Sequence, residues 1–108
     1  MDETAKIGDI KIKVGQPTEV SLHSNAGATG YVWFLTHTPD ILWLGDIEYV
    51  GPKPAIPGRP WKKIFTFIGG KKGEDYLEFN LVKPWKPNEV VQKAVYSVIV
   101  HENGNAMI

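Results

Sequence analysis

Apolar and polar residues alternate with a period of two along most of this chain. Ile10, Ile12 and Val14 are separated by Lys11 and Lys13 and stop at Gly15, the pattern of a half-buried strand. Val20 and Leu22 repeat it within 18–23. Residues 31–38 are rich in aromatic and β-branched types and are closed by Pro39-Asp40, which predicts a strand buried on both faces. A short strand is expected at 47–50. A longer one at 61–68 offers Ile64, Phe65 and Phe67 to a core. The Gly69-Gly70 and Gly73 turn leads into 74–82, where Leu77, Phe79 and Leu81 alternate with Glu78 and Asn80. The last strand, 90–101, places Val98 and Val100 on one face. No useful window keeps a helical stripe. Seven or eight short strands at spacings of about 8–12 residues predict an all-β, immunoglobulin-like β-sandwich.

Loops cluster at the two ends of such a sandwich, and connections two apart along the chain leave from the same end. The loops 24–30, 51–60 and 83–89 are therefore expected side by side. The first contains Gly27 and Gly30, and the second holds Pro52, Pro54, Pro57 and Pro60. The third carries Trp85 between Pro84 and Pro87. Those prolines prevent the segment from continuing as a helix or a central strand, and they stiffen the loop that presents the indole. Large aromatic rings at loop tips are typical anchors of binding surfaces.

Composition narrows the classes. A chain of 108 residues with 43% hydrophobic and 22% charged residues is an ordinary single globular domain, 1–108, with its ordered core expected over roughly 5–101. The termini lack linker composition, so the chain reads as complete, and a monomer is expected. Formal net charge is zero, and no apolar run approaches the ~20 residues of a membrane span, so neither nucleic acid nor membrane is predicted as a partner. Charge is uneven, net −3 over 1–54 and net +3 over 55–108. Arg59, Lys62, Lys63, Lys71, Lys72, Lys83 and Lys86 sit in or beside expected loops, either as solvated turn residues or as a steering patch. The absence of cysteine excludes a disulfide framework, a thiolate metal site and a cysteine nucleophile. The first residues have no basic segment followed by an apolar one. As written the chain reads as cytoplasmic, and a removed presequence would make it lysosomal, vesicular or secreted.

Catalytic chemistry finds no foothold. His23, His37 and His101 show no metal-ligand spacing, and Ser21, Ser24 and Ser97 stand in no nucleophile motif. Asp9, Asp40, Asp46 and Asp75 fall at expected strand ends and turns, where backbone hydrogen bonding explains them. The glycines at 69, 70 and 73 precede no helix and read as a tight turn rather than a phosphate cradle. The expectation is a binding module without enzymatic activity, cofactor or metal.

At the loop residues the chain resembles the chagasin-type inhibitors of papain-like cysteine peptidases. That family's first binding loop reads Asn-Pro-Thr-Thr-Gly, then an aromatic, any residue and Trp. Thr29-Gly30-Tyr31-Val32-Trp33 matches its second half, while Ala26, Gly27 and Ala28 replace the preceding residues unless a one-residue insertion lets Asn25 stand in. The family's last loop carries Arg-Pro-Trp, and Lys83-Pro84-Trp85 matches with lysine for arginine. The middle loop carries Gly-x-Gly-Gly in the family. Here Gly58 fits the first glycine, and Pro60 and Trp61 displace the others. Arg59-Pro60-Trp61 spells the last-loop motif in the middle loop, where it precedes the Phe65/Phe67 strand.

The resemblance implies a reversible, non-covalent inhibitor of papain-like, cathepsin L-like peptidases. The first loop would enter the cleft and the other two would grip its flanks. The peptidase-binding residues it implies are Asn25, Ala26, Gly27, Ala28, Thr29, Gly30, Gly58, Arg59, Trp61, Lys83, Pro84 and Trp85. Trp33 is expected in the core, Trp43 in the core or a packed corner, and Trp61 either in the binding loop or tucked over the sandwich end. Two other classes stay open: a carbohydrate-binding sandwich that stacks sugars on Trp61 and Trp85, and an adhesion or scaffold domain.

Overall fold

The computed structural model describes residues 4–24, 30–51 and 61–102. Seven strands follow one another: β1 (Thr4–Lys13), β2 (Pro17–Ser24), β3 (Val32–His37), β4 (Leu42–Val50), β5 (Trp61–Gly69), β6 (Gly73–Val82) and β7 (Gln92–His101). They form a four-stranded sheet in the order β1-β7-β6-β3 and a three-stranded sheet in the order β2-β5-β4. All pairings are antiparallel except β1 with β7, which is parallel, so Ile10 faces Val98 and Ile12 faces Val100 in register.

The period-two pattern decides what lies between the sheets. Val20 and Leu22 of β2 and Phe65 and Phe67 of β5 are buried from one side. Ile10, Ile12, Trp33, Leu77, Phe79, Ala94, Val98 and Val100 close over them from the other. Phe65 and Phe79 meet across the gap with ring centroids 4.8 Å apart, tilted at 53°. Such pairs add to the burial of their area and fix the facing register of the two layers.

Four expectations are corrected. The strand at 31–38 is not buried on both faces: Trp33 is core, but Phe34 and Thr36 are exposed. The reason is topological: among the described residues only two sheets pack together, so each strand buries its inner face, and Phe34 and Thr36 alternate to the outer one. Ile64 is only half-buried, because alternation with the inward Phe65 and Phe67 turns it to the outer face of β5. The short strand at 47–50 is the end of a longer one. β4 pairs with β5 from Leu42, with a bulge between Leu44 and Asp46 that shifts the register by one residue. Of the two places expected for Trp43, core or packed corner, the core is ruled out, since the residue is 62% exposed. It stands opposite Ile68 on the outer face, and its indole lies against Gly70.

Candidate functional site

The strand registers show which connections share a pole. Ser24 is opposite Trp61, Val50 opposite Lys62, Val32 opposite Val82, and Leu81 opposite Gln92. Hence the connections β2–β3, β4–β5 and β6–β7 all leave from one end of the sandwich. At the other end, Pro17 is opposite Ile68, Leu42 opposite Gly69 and Gly73 opposite Val100. Two hydrogen bonds lock the sheets together near the loop pole. Trp33 Nε1 donates to the His23 carbonyl at 2.9 Å, and Lys63 Nζ donates to the Trp33 carbonyl at 2.9 Å.

The β6–β7 connection is built as two successive proline turns. Lys86 N–H donates to the Lys83 carbonyl at 2.8 Å, and Glu89 N–H donates to the Lys86 carbonyl at 3.1 Å. Pro84 and Pro87 occupy the second position of each turn, where a fixed φ near −65° is already the required value. Lys83 and Lys86 form an isolated bridge, and Val91 N–H returns to the Leu81 carbonyl at 3.0 Å. Trp85 therefore occupies the tip of a short, rigid ribbon with 65% of its surface exposed. Little conformational freedom remains to be lost when a partner covers the ring.

The indole of Trp85 rests on the end of the first loop. A Cβ at Gly30 would come within 3.0 Å of the ring, and Gly30 has φ +82°, a left-handed conformation that side chains rarely adopt. Glycine is required there twice, by backbone conformation and by the close approach of Trp85. Lys83 Nζ lies 5.1 Å from the Tyr31 ring centroid and 5.9 Å from that of Trp85, so one cation bridges the two aromatic groups. The first and third loops are thus packed against each other through Gly30, Tyr31, Lys83 and Trp85.

Trp61 opens β5 and is 48% exposed. Its ring lies over Gly51, where a Cβ would approach within 2.9 Å, so part of the indole is tucked over the sandwich end while the rest faces outward. Of the expected binding residues, Gly30, Trp61, Lys83, Pro84 and Trp85 are brought to one pole. Asn25, Ala26, Gly27, Ala28 and Thr29, with Gly58 and Arg59, lie outside the described residues. Sequence reasoning missed Tyr31, Gly51 and Lys63. Lys63 is neither a solvated turn residue nor part of a steering patch, because it is 8% exposed. The available signal was parity: Lys63 alternates in step with Phe65 and Phe67, and so faces inward. Among the described residues no group of three His, Cys, Asp or Glu could hold a metal.

An all-β sandwich that gathers two half-exposed or more exposed tryptophans at one pole, one of them against the glycine that ends the first loop, belongs to the class of loop-presenting binding domains. Residues 11–100 match the model of the chagasin family of peptidase inhibitors, and the chain belongs to that family. It is a chagasin-family inhibitor of cysteine peptidases, not an enzyme. No curated protein matches the sequence.

Solved structures that share the fold include the following three. The cysteine protease inhibitor EhICP2 from Entamoeba histolytica is similar at 18% identity and a TM-score of 0.74, over 93% of this chain and 96% of that one. Amebosin is 27% identical at a TM-score of 0.66, again over 93% and 96%. PbICP-C in complex with falcipain-2 is 19% identical at a TM-score of 0.66, over 94% of this chain and 90% of that one.

Proposed function

We propose that the chain inhibits papain-like cysteine peptidases reversibly and non-covalently, with the β2–β3 connection entering the cleft and the other two loops gripping either side. The observation that carries this reading is Trp85, two-thirds exposed on a doubly proline-braced turn and in contact with Gly30 at the base of the first loop. The indole is seated on Gly30, where that loop ends, before any partner arrives, so a cleft that admits the loop receives the indole on its flank. Trp61, at the mouth of the β4–β5 connection, supplies a second apolar contact from the neighbouring loop. The chain has no cysteine, so it can form no mixed disulfide with a catalytic thiolate. The structural neighbour PbICP-C, in complex with falcipain-2, supports a peptidase as the partner of this fold.

The test is a titration of the protein against active-site-calibrated papain and a cathepsin L-like enzyme, following hydrolysis of a fluorogenic peptide. Reversible inhibition at sub-micromolar concentration, with the inhibitor recovered uncleaved, is expected. Absence of inhibition of both enzymes would refute the papain-like target, and progressive cleavage of the chain would refute the non-covalent wedge.

A further inference from the structure

Lys63 occupies a position in the core that apolar residues would ordinarily fill. On the inner face of β5 it is flanked in register by Leu22 of β2 and Tyr49 of β4. Its Nζ lies 5.3 Å from the Tyr49 ring centroid and 5.2 Å from that of Phe65. Burying such a group is unfavourable unless its donors find partners, and a methionine of similar volume carries no such penalty. Packed sheets stand about 10 Å apart, a gap that a lysine stem rooted in one sheet can largely cross. Here it does so, and the group it reaches is the main-chain carbonyl of Trp33 in the opposite sheet, at 2.9 Å.

Trp33 passes the connection on, because its indole N–H donates to the carbonyl of His23 at 2.9 Å. The relay runs from β5 to β3 to β2. Those last two strands are in different sheets, and they are the two that the first loop joins. His23 precedes the last residue of β2, and Trp33 is the second residue of β3, so both anchors stand at the loop's stems. Ordinary sandwich packing needs only apolar contacts between the layers, whereas directed hydrogen bonds fix distance and orientation.

We propose that Lys63 is a positioning residue for inhibition: with Trp33 it sets the spacing of the first loop's two stems, so that the loop is held ready for the cleft before a peptidase arrives. The inference rests on the first loop being the element that enters the cleft. A loop held ready by its stems governs the fraction of molecules competent to bind, and that fraction multiplies the association rate. Loss of the clamp therefore slows association, while the assembled complex, in which the cleft itself orders the loop, dissociates at close to the parent rate.

The experiment compares the parent with Lys63→Met and with Val98→Ala, a core truncation near the opposite pole. Amide hydrogen exchange of the free proteins is measured alongside association and dissociation rates with papain. In Lys63→Met, exchange at His23 and at Tyr31 to Trp33 is expected to accelerate while that at Leu77 and Val98 does not. The association rate should fall about 5- to 30-fold, the factor that ordering one loop residue represents. Val98→Ala should lower the melting midpoint and leave association unchanged. Unchanged exchange at the stems, or a loss confined to faster dissociation, would overturn the proposal, as would equal loss in the Val98→Ala control. If Lys63→Met does not fold, Trp33→Phe, which removes the donor to His23 and keeps an aromatic ring, is expected to show the same two effects. If the parent itself fails to bind papain, the cleft reading falls, and the exchange comparison still decides whether Lys63 holds the stems.

Discussion

Truncation of Trp85 tests the binding pole most directly. The ring is 65% exposed in the free protein. A tryptophan buries about 150–250 Å² when fully covered, so roughly 100–160 Å² remains for a partner to cover. At about 25 cal/mol per Å² of apolar area, Trp85→Ala should weaken binding by roughly 2.5–4 kcal/mol. Each 1.4 kcal/mol is tenfold, so the inhibition constant should rise about 60- to 700-fold. Stability should change much less, because only the third of the ring that lies near Gly30, Tyr31 and Lys83 is lost to the fold. That share is worth about 1–2 kcal/mol at most, a fall of no more than about 10 °C or so in the melting midpoint. The assay is the same peptidase titration, with thermal unfolding followed by circular dichroism on the same samples. A Trp85→Ala protein that inhibits like its parent would refute the anchor. One that loses inhibition by unfolding at the assay temperature would refute the claim that the exposed ring is separable from the fold.

Gly30→Ala should destabilise the domain by about 1–2 kcal/mol through its left-handed backbone, and should weaken inhibition about tenfold by displacing Trp85. Unfolding and inhibition measured together would check this, and unchanged inhibition would show that the contact of Gly30 with Trp85 is not needed. The pH dependence has a definite sign at Tyr96, whose phenol is pushed above its ordinary value of 10.0 by burial. The unfolded chain ionises first, so the stabilisation is intact below pH 10 and is lost as pH rises through the folded value. Urea midpoints at about pH 8 and about pH 11 should diverge less in Tyr96→Phe than in the parent. Equal divergence would remove Tyr96 as the cause.

Particular residues show what was legible beforehand. Phe65, Phe67, Leu77, Phe79, Val98 and Val100 could be assigned to the core from their alternation, and all are buried. The alternation reports local geometry, since neighbouring side chains on a strand must point to opposite faces. Trp43 is kept out of the core for a non-local reason. Its apolar neighbours Ile41 and Leu42 are buried, but Trp43 faces outward on β4, at the edge of its sheet. Lys63 shows the reverse: a residue type usually solvated faces inward because its strand position allows no other direction. The proline turn at 83–86 and the left-handed Gly30 were readable as stiff and glycine-dependent, but not as touching each other.

What the sequence determined by itself was the strand content, the inward face of most strands, the sandwich architecture and the order of three distinctive loops. Each follows from interactions between near neighbours: alternation, turn chemistry and the fixed φ of proline. Tertiary structure decided the parallel pairing of β1 with β7 and the edge positions of β3 and β4. It also decided the seat of Trp85 over Gly30 and the reach of Lys63 to Trp33. Those contacts join positions 30 to 90 residues apart, and which partner a strand edge or a side chain meets across such a distance is settled by how the whole core packs.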